Sequence, residues 1–194
     1  NDASVSFTGT AADVAAALSG TITNTLTGAI NITGTTISTT DLGTINTATN
    51  GTITLTNGTG VDFTGTATEL AAAFDGFGTN ALSGEITISS GTITTAQLKT
   101  ISDATSGAIT LPSNNFTLSG SSSDLVDALS GNFSGYIGNV TLTDASPSVA
   151  NLGTINTKTS GTITLNDNSA TFSGTASALS TAFSGGFVGT QDGA

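Results

Sequence analysis

Residues 41–55 read Asp41-Leu42-Gly43-Thr44-Ile45-Asn46-Thr47-Ala48-Thr49-Asn50-Gly51-Thr52-Ile53-Thr54-Leu55. The stretch recurs as Gln97-Leu98-Lys99-Thr100-Ile101 through Gly107-Ala108-Ile109-Thr110-Leu111. It recurs again as Asn151-Leu152-Gly153-Thr154-Ile155 through Gly161-Thr162-Ile163-Thr164-Leu165. In its first half Leu42 and Ile45 are three apart, a spacing that sets both on one face of a short helix. In its second half Ile53 and Leu55 point one way and Thr52 and Thr54 the other, as in a half-buried strand. Between the halves stand Asn50-Gly51, Ser106-Gly107 and Ser160-Gly161. They are read as helix stops, with glycine supplying a left-handed C-cap.

A second motif alternates with the first. Val5-Ser6-Phe7-Thr8-Gly9-Thr10-Ala11-Ala12-Asp13-Val14-Ala15-Ala16-Ala17-Leu18 matches Val61 through Phe74, and weaker copies run from Phe116 to Leu129 and from Phe172 to Phe183. Phe7, Phe63, Phe116 and Phe172 are spaced 56, 53 and 56 residues apart. The pattern predicts a strand and then a helix with Val14, Ala17 and Leu18 on one face, or Leu70, Ala73 and Phe74 in the next copy. A further strand is predicted in each copy, at Ala29–Ile32, Glu85–Ile88 and Asn139–Leu142. The super-repeat is thus about 55 residues of two unlike coils. The chain divides near 5–60, 61–114, 115–168 and 169–194, read as one domain of about three and a half copies.

No coil of this size buries its apolar stripe alone, so stacking must do it. Same-direction strands joined through helices imply parallel ladders. The predicted fold is therefore an α/β repeat solenoid with parallel β-sheets and short helices. The alternative is a right-handed β-helix in which the helices are turns. The expected core ladder is Phe7, Phe63, Phe116, Phe172, Ile53, Leu55, Ile109, Leu111, Ile163 and Leu165. Open coil ends favour end-to-end self-association, or membership of a longer chain. Asn1 in place of a Met start is read the same way.

Composition narrows the function. The net charge is -11, with two lysines and no arginine. Phosphate backbones and anionic membranes need basic surface, so nucleic-acid binding and membrane docking are not expected. No apolar run approaches the roughly 20 residues of a membrane span. With no His and no Cys, triads, thiolates and imidazole–metal sites are excluded. Lys99 and Lys158 stand where other copies have small residues and are read as surface variation. Asp124 and Asp127 lie three apart on one helix but share no evident groove. The chain is not expected to be an enzyme, and no cofactor is expected.

Calcium is the one metal the residue types suit. Asp75, Asp144, Asp167 and Asp192 fall near turns, and Asn166-Asp167-Asn168-Ser169 carries hard oxygen donors. Asp167 and Asp144 are the candidate ligands, although neither an EF-hand loop nor a glycine-rich nonapeptide array is present. Outward pairs such as Thr52/Thr54, Thr87/Ser89, Thr141/Thr143 and Thr162/Thr164 suggest hydroxyl ladders able to order water or meet a glycan. Asn-x-Ser/Thr triplets occur at Asn31, Asn50, Asn57, Asn115, Asn132 and Asn139. In a chain this rich in Asn and Thr they arise by chance.

The strings DLGTINTATNGTITL (41–55), AQLKTISDATSGAITL (96–111) and FTLSGSSSDLVDALSG (116–131) resemble tandem repeats of very large secreted surface proteins of cyanobacteria. These include the marine kind linked to the cell envelope and to swimming. The resemblance covers nearly the whole chain and rests on repeat texture. It implies an extracellular location and a structural or adhesive role, forming a rod, filament or surface layer. A glycan or a cell-surface partner is the binding alternative.

Overall fold

Among the described residues seven helices form where a Ser or Thr precedes the helix and a polar residue usually stands three positions later. They are α1 (Ala11–Leu18), α2 (Thr39–Ala48), α3 (Ala67–Phe74), α4 (Thr95–Ala104), α5 (Ser122–Ala128), α6 (Val149–Lys158) and α7 (Ala176–Phe183). This is a computed structural model, and it describes residues 2–20, 22, 24–57, 59–78, 81–89, 91–113, 115–133 and 135–188. The N-caps Thr10, Ser38, Thr66, Thr94, Ser121, Ser148 and Thr175 each accept the third backbone N–H of their helix. At α3 and α4 the third residue, Glu69 or Gln97, returns the bond and closes a capping box. A cap contributes about 1 kcal/mol. That matters here, because helices of this length are marginal without caps and packing.

Ten short strands complete the fold among the described residues. The first sheet pairs β1 (Phe7–Gly9), β2 (Ile30–Ile32) and β3 (Ile53–Leu55). The second pairs β4 (Phe63–Gly65), β5 (Ile86–Ile88) and β6 (Ile109–Thr110). The third orders β7 (Leu118–Gly120), β8 (Val140–Leu142), β9 (Thr162–Thr164) and β10 (Gly186–Val188). Every pairing is parallel, and the registers are Phe7–Ile30–Ile53, Phe63–Ile86–Ile109 and Leu118–Val140–Ile163–Phe187. Each helix packs on the next, from α1 to α7. One cluster of buried residues, from Ala11 to Ala182, spans all three sheets and all seven helices. The chain is thus an α/β protein with parallel sheets.

The strands form three separate ladders rather than one row. Packed helices need about 8–10 Å per step, and paired strands only about 4.7–4.9 Å. A single sheet cannot keep pace with a helix row. After the third strand of the first two sheets the chain links directly to a new strand, β3 to β4 and β6 to β7. The segments after the next helices still return to the older sheets. Gly76 lies beside Ile53, and Ala108 bridges to Asn132.

Three details differ from the sequence reading. Gly51, Gly107 and Gly161 do not make left-handed caps: α2, α4 and α6 end on Thr49, Thr105 and Thr159 in extended conformation. These glycines are needed for close approach instead. A Cβ on Gly51 would fall on the carbonyl of Gly28, one on Gly107 on that of Gly84, and one on Gly161 on that of Gly138. In the third copy Leu118, not Phe116, takes the strand position of Phe7 and Phe63. The two positions differ by two residues, which keeps the same face of a strand and hides the slip. Finally, α1 buries Ala15 rather than Ala17. It has one helix neighbour, whereas α3, which buries the equivalent Ala73, has two.

Candidate functional site

Strand alternation decides which side chains face outward. In-register outward residues of the paired strands form three columns: Thr8–Asn31–Thr54, Thr64–Thr87–Thr110 and Ser119–Thr141–Thr164, the last continued by Val188. These hydroxyl-rich columns are what the structure offers in place of extended Thr-x-Thr arrays. The strands are three residues long or shorter, so each contributes one outward side chain to its column. The flanking positions carry Asp62, Glu85 and Asn139, which are already engaged. Asp62 Oδ1 accepts from Glu85 N at 2.7 Å, Asn139 Oδ1 from Thr162 N at 2.9 Å, and Glu85 Oε1 from Thr110 Oγ1 at 2.9 Å.

The predicted core ladder divides by position. Phe63, Ile53, Leu55, Ile109, Ile163 and Leu165 are buried. Phe7, Phe116, Phe172 and Leu111 are only partly buried and pack against the cluster. Phe7 stands on an edge strand paired on one side only. Leu111 lies just beyond β6, before Pro112. Phe116 instead packs on Tyr136 in a tilted contact, with ring centroids 5.1 Å apart. The Tyr136 hydroxyl donates to the carbonyls of Phe116 and Asn139. Burial pushes the Tyr136 phenol up to about 12, against a smaller opposite pull from the backbone of Leu118.

The acidic residues serve the backbone. Asp13, Asp41, Glu69 and Asp124 occupy the first turns of helices, where a negative charge meets the helix dipole. The Thr66 backbone N–H, and then its hydroxyl, hold the Glu69 carboxyl below the usual carboxylate range. Asp103 and Asp127 both take Lys99 Nζ, at 3.0 and 2.8 Å. The hydrogen bond to Asp127, followed by that to Asp103, raises the Lys99 ammonium above its ordinary range. Lys99 is therefore a tie between α4 and α5 rather than loose surface variation. A charge that replaces glycine on a helix was the available signal.

The calcium candidates are spent in a similar way. Asp167 Oδ1 accepts from Ser169 N and Oγ at 2.8 and 2.6 Å, a turn that also lowers its carboxyl pKa. Asp144 Oδ2 accepts from Ser122 N and Oγ at 3.1 and 2.7 Å. Asp144 Oδ1 and Asn168 Oδ1 are buried with no hydrogen-bond partner. Two such oxygens fall well short of the roughly six to eight that calcium takes. Among the described residues no three carboxylates gather into a cluster that could hold a metal ion. Asp192 lies outside the described residues.

Sequence reasoning missed a buried polar device. Thr49, Thr105 and Thr159 are 5%, 3% and 8% exposed. Their hydroxyls donate to Leu26 O, to Gly84 O and to Gly138 O, at 3.2, 3.3 and 2.6 Å. Each also accepts the N–H of the glycine two residues on, at 2.8 to 2.9 Å. The Thr-x-Gly spacing stands in all three copies, but in so Thr-rich a chain nothing in it marks these threonines out.

The grooves that remain are shallow and lie between neighbouring helices. One of them is lined by Leu18, Ile22, Thr40, Gly43, Thr47 and Ala72. None of these side chains carries charge, a nucleophile activated by a base, or a pair of carboxylates. No described helix is long and apolar enough to cross a membrane. Comparison with protein-family models, curated proteins and solved structures gives no match.

Proposed function

We propose that this chain is a structural repeat protein of the cell exterior, a non-enzymatic solenoid whose work is to be a stiff rod, filament or surface layer. The observation that carries the reading is the regularity of its connections. The N-caps recur every 27 to 28 residues along seven helices that pack in chain order. Core-facing positions meet at steps of 22 to 24 residues within each ladder. Chains built this way are stabilised by neighbour-to-neighbour contacts and extend by adding units.

Side-chain chemistry supports the same reading. Carboxylates and amides cap helices, brace turns and tie units together instead of converging on a groove. Outward Thr, Ser and Asn keep the surface hydrated, and the net negative charge favours solubility. The repeat resemblance supports an extracellular site. The test is negative-stain electron microscopy of purified protein combined with antibody labelling of intact producing cells. Rods or a layer, with label at the surface, are expected; compact particles labelled only in permeabilised cells would overturn the reading.

A second reading is favoured by the in-register columns Thr64–Thr87–Thr110 and Ser119–Thr141–Thr164. Regularly spaced hydroxyls on one face can order water or contact a glycan. Thermal hysteresis with shaped ice crystals, or retention on a glycan array, would support it, and neither effect would remove it.

A further inference from the structure

The last turn of a helix leaves backbone carbonyls without partners. In this chain three such turns are capped by the helix before. Asn46 of α2 donates from Nδ2 to Ala72 O of α3 at 2.9 Å, Ser102 of α4 from Oγ to Ala128 O of α5 at 3.0 Å, and Asn156 of α6 from Nδ2 to Thr181 O of α7 at 2.8 Å. Each donor stands four residues after a buried leucine, Leu42, Leu98 or Leu152. Each also sits against a glycine just past the capped helix. A Cβ on Gly76, Gly131 or Gly185 would fall on the side chain of Asn46, Ser102 or Asn156. Donor and glycine are two halves of one fitting. α1 gives the contrast, because no described helix comes before it. Gly20 has nothing within 4 Å, and Ser19 Oγ at the same helix end caps Ala16 O at 2.8 Å.

The same three junctions are the closely packed ones. α2 with α3, α4 with α5 and α6 with α7 meet more extensively than α1 with α2, α3 with α4 or α5 with α6. Between α3 and α4 Gln97 Nε2 donates to Thr68 Oγ1, and between α5 and α6 Asn151 Nδ2 donates to Ser122 Oγ; neither bond caps a carbonyl. The sheets are broken in the opposite phase. The first holds the strands on either side of α1 and α2, the second those on either side of α3 and α4. The chain passes to a new sheet between α2 and α3, and again between α4 and α5. Each break in the sheet layer thus coincides with a tightly joined helix pair, and each looser helix joint is spanned by paired strands.

We propose that Asn46 and Ser102 are coupling residues that carry the stack across the two sheet breaks. The body that opens as one is then α2 with α3, and α4 with α5, out of phase with the copies near 5–60, 61–114 and 115–168. This deepens the rod reading and rests on it: a rod stiff over its length needs continuity where its sheets stop.

The test is native-state hydrogen exchange by mass spectrometry across a urea series. In the wild type α2 and α3 are expected to share one opening free energy and one urea slope, although their strands belong to different sheets. Asn46→Ala should raise exchange at the α2/α3 junction about fivefold, the equivalent of one hydrogen bond, and separate the two slopes. Gly76→Ala perturbs the same junction from the other side and should reproduce the split. Thr68→Ala, which removes the bond between α3 and α4, should leave α2 and α3 opening together. A wild type in which α2 opens with α1 while α3 opens apart would overturn the proposal. So would an Asn46→Ala protein in which α2 and α3 still share one slope. Exchange reports coupling and not shape, so either result would leave images of rods standing, and compact particles in the microscope would leave synchronised opening standing.

Discussion

Replacing Thr159 by Val tests the buried hydroxyl brace, because the two side chains have nearly the same shape and no cavity is made. The hydroxyl donates to Gly138 O at 2.6 Å and accepts from Gly161 N at 2.9 Å. Each such bond contributes about 1 kcal/mol net. The new methyl returns up to about 0.8 kcal/mol of apolar burial. The Gly161 N–H is only part-buried, so water recovers some of its lost bond. The expected loss is therefore about 1–2 kcal/mol. For a chain of this length that lowers Tm by about 2–8 °C. The assay is thermal melting by circular dichroism beside Thr52→Val, an outward threonine whose change should fall within about 0.5 kcal/mol. If Thr159→Val melts with the wild type, or if Thr52→Val costs as much, the brace does not stabilise the stack as argued.

Other changes separate packing from conformation. Gly107→Ala forces a Cβ against the Gly84 carbonyl, so a loss of at least about 1–3 kcal/mol is expected in denaturant melts. Gly43→Ala, in α2 with nothing within 4 Å, should instead stabilise by about 0.5–1 kcal/mol. Ile109→Asp places an unpaired carboxylate at a position 3% exposed, and should cost more than about 3 kcal/mol and disturb neighbouring units by hydrogen exchange. The Tyr136 phenol is raised in the folded protein from 10.0 to about 12. Its contribution is full below the unfolded value and is lost as pH climbs from about 10 to about 12. Tyr136→Phe should flatten that part of the pH–stability curve, which urea melts would show.

Much of the architecture could be read from periodicity. The Leu42/Ile45 and Ile53/Leu55 spacings gave a helix and a strand, and both pairs are buried. The strand at Glu85–Ile88 and its counterparts were equally plain. What periodicity could not give was the register of the third copy. A two-residue slip leaves the alternation intact, so Phe116 stood in for Leu118. Nor does periodicity report how near two backbones come, and the role of Gly51, Gly107 and Gly161 therefore appeared only in three dimensions. The break into three sheets follows from a mismatch between helix and strand spacing, which no single unit displays.

The outward columns were legible as threonines, but their extent was not, because strand length depends on neighbours. The carboxylates were the least legible. Asp144 and Asp167 have the chemistry of metal ligands, and only geometry shows them turned to Ser122 and Ser169. A Ser or Thr followed three residues later by Asp, Glu, Gln or Asn, at residues 10, 38, 66, 94, 121 and 148, is the signal that could have placed four acidic residues at helix starts.

Small-angle X-ray scattering of the monomer tests the stacked, elongated body most directly. Six steps from α1 to α7 at about 8–10 Å each give a helix row about 50–60 Å long. A compact globule of this length would have a radius of gyration of about 16 Å. The account predicts a value nearer about 20 Å, with a skewed distance distribution reaching beyond the length of the helix row. A value of about 16 Å with a symmetric distribution would contradict it.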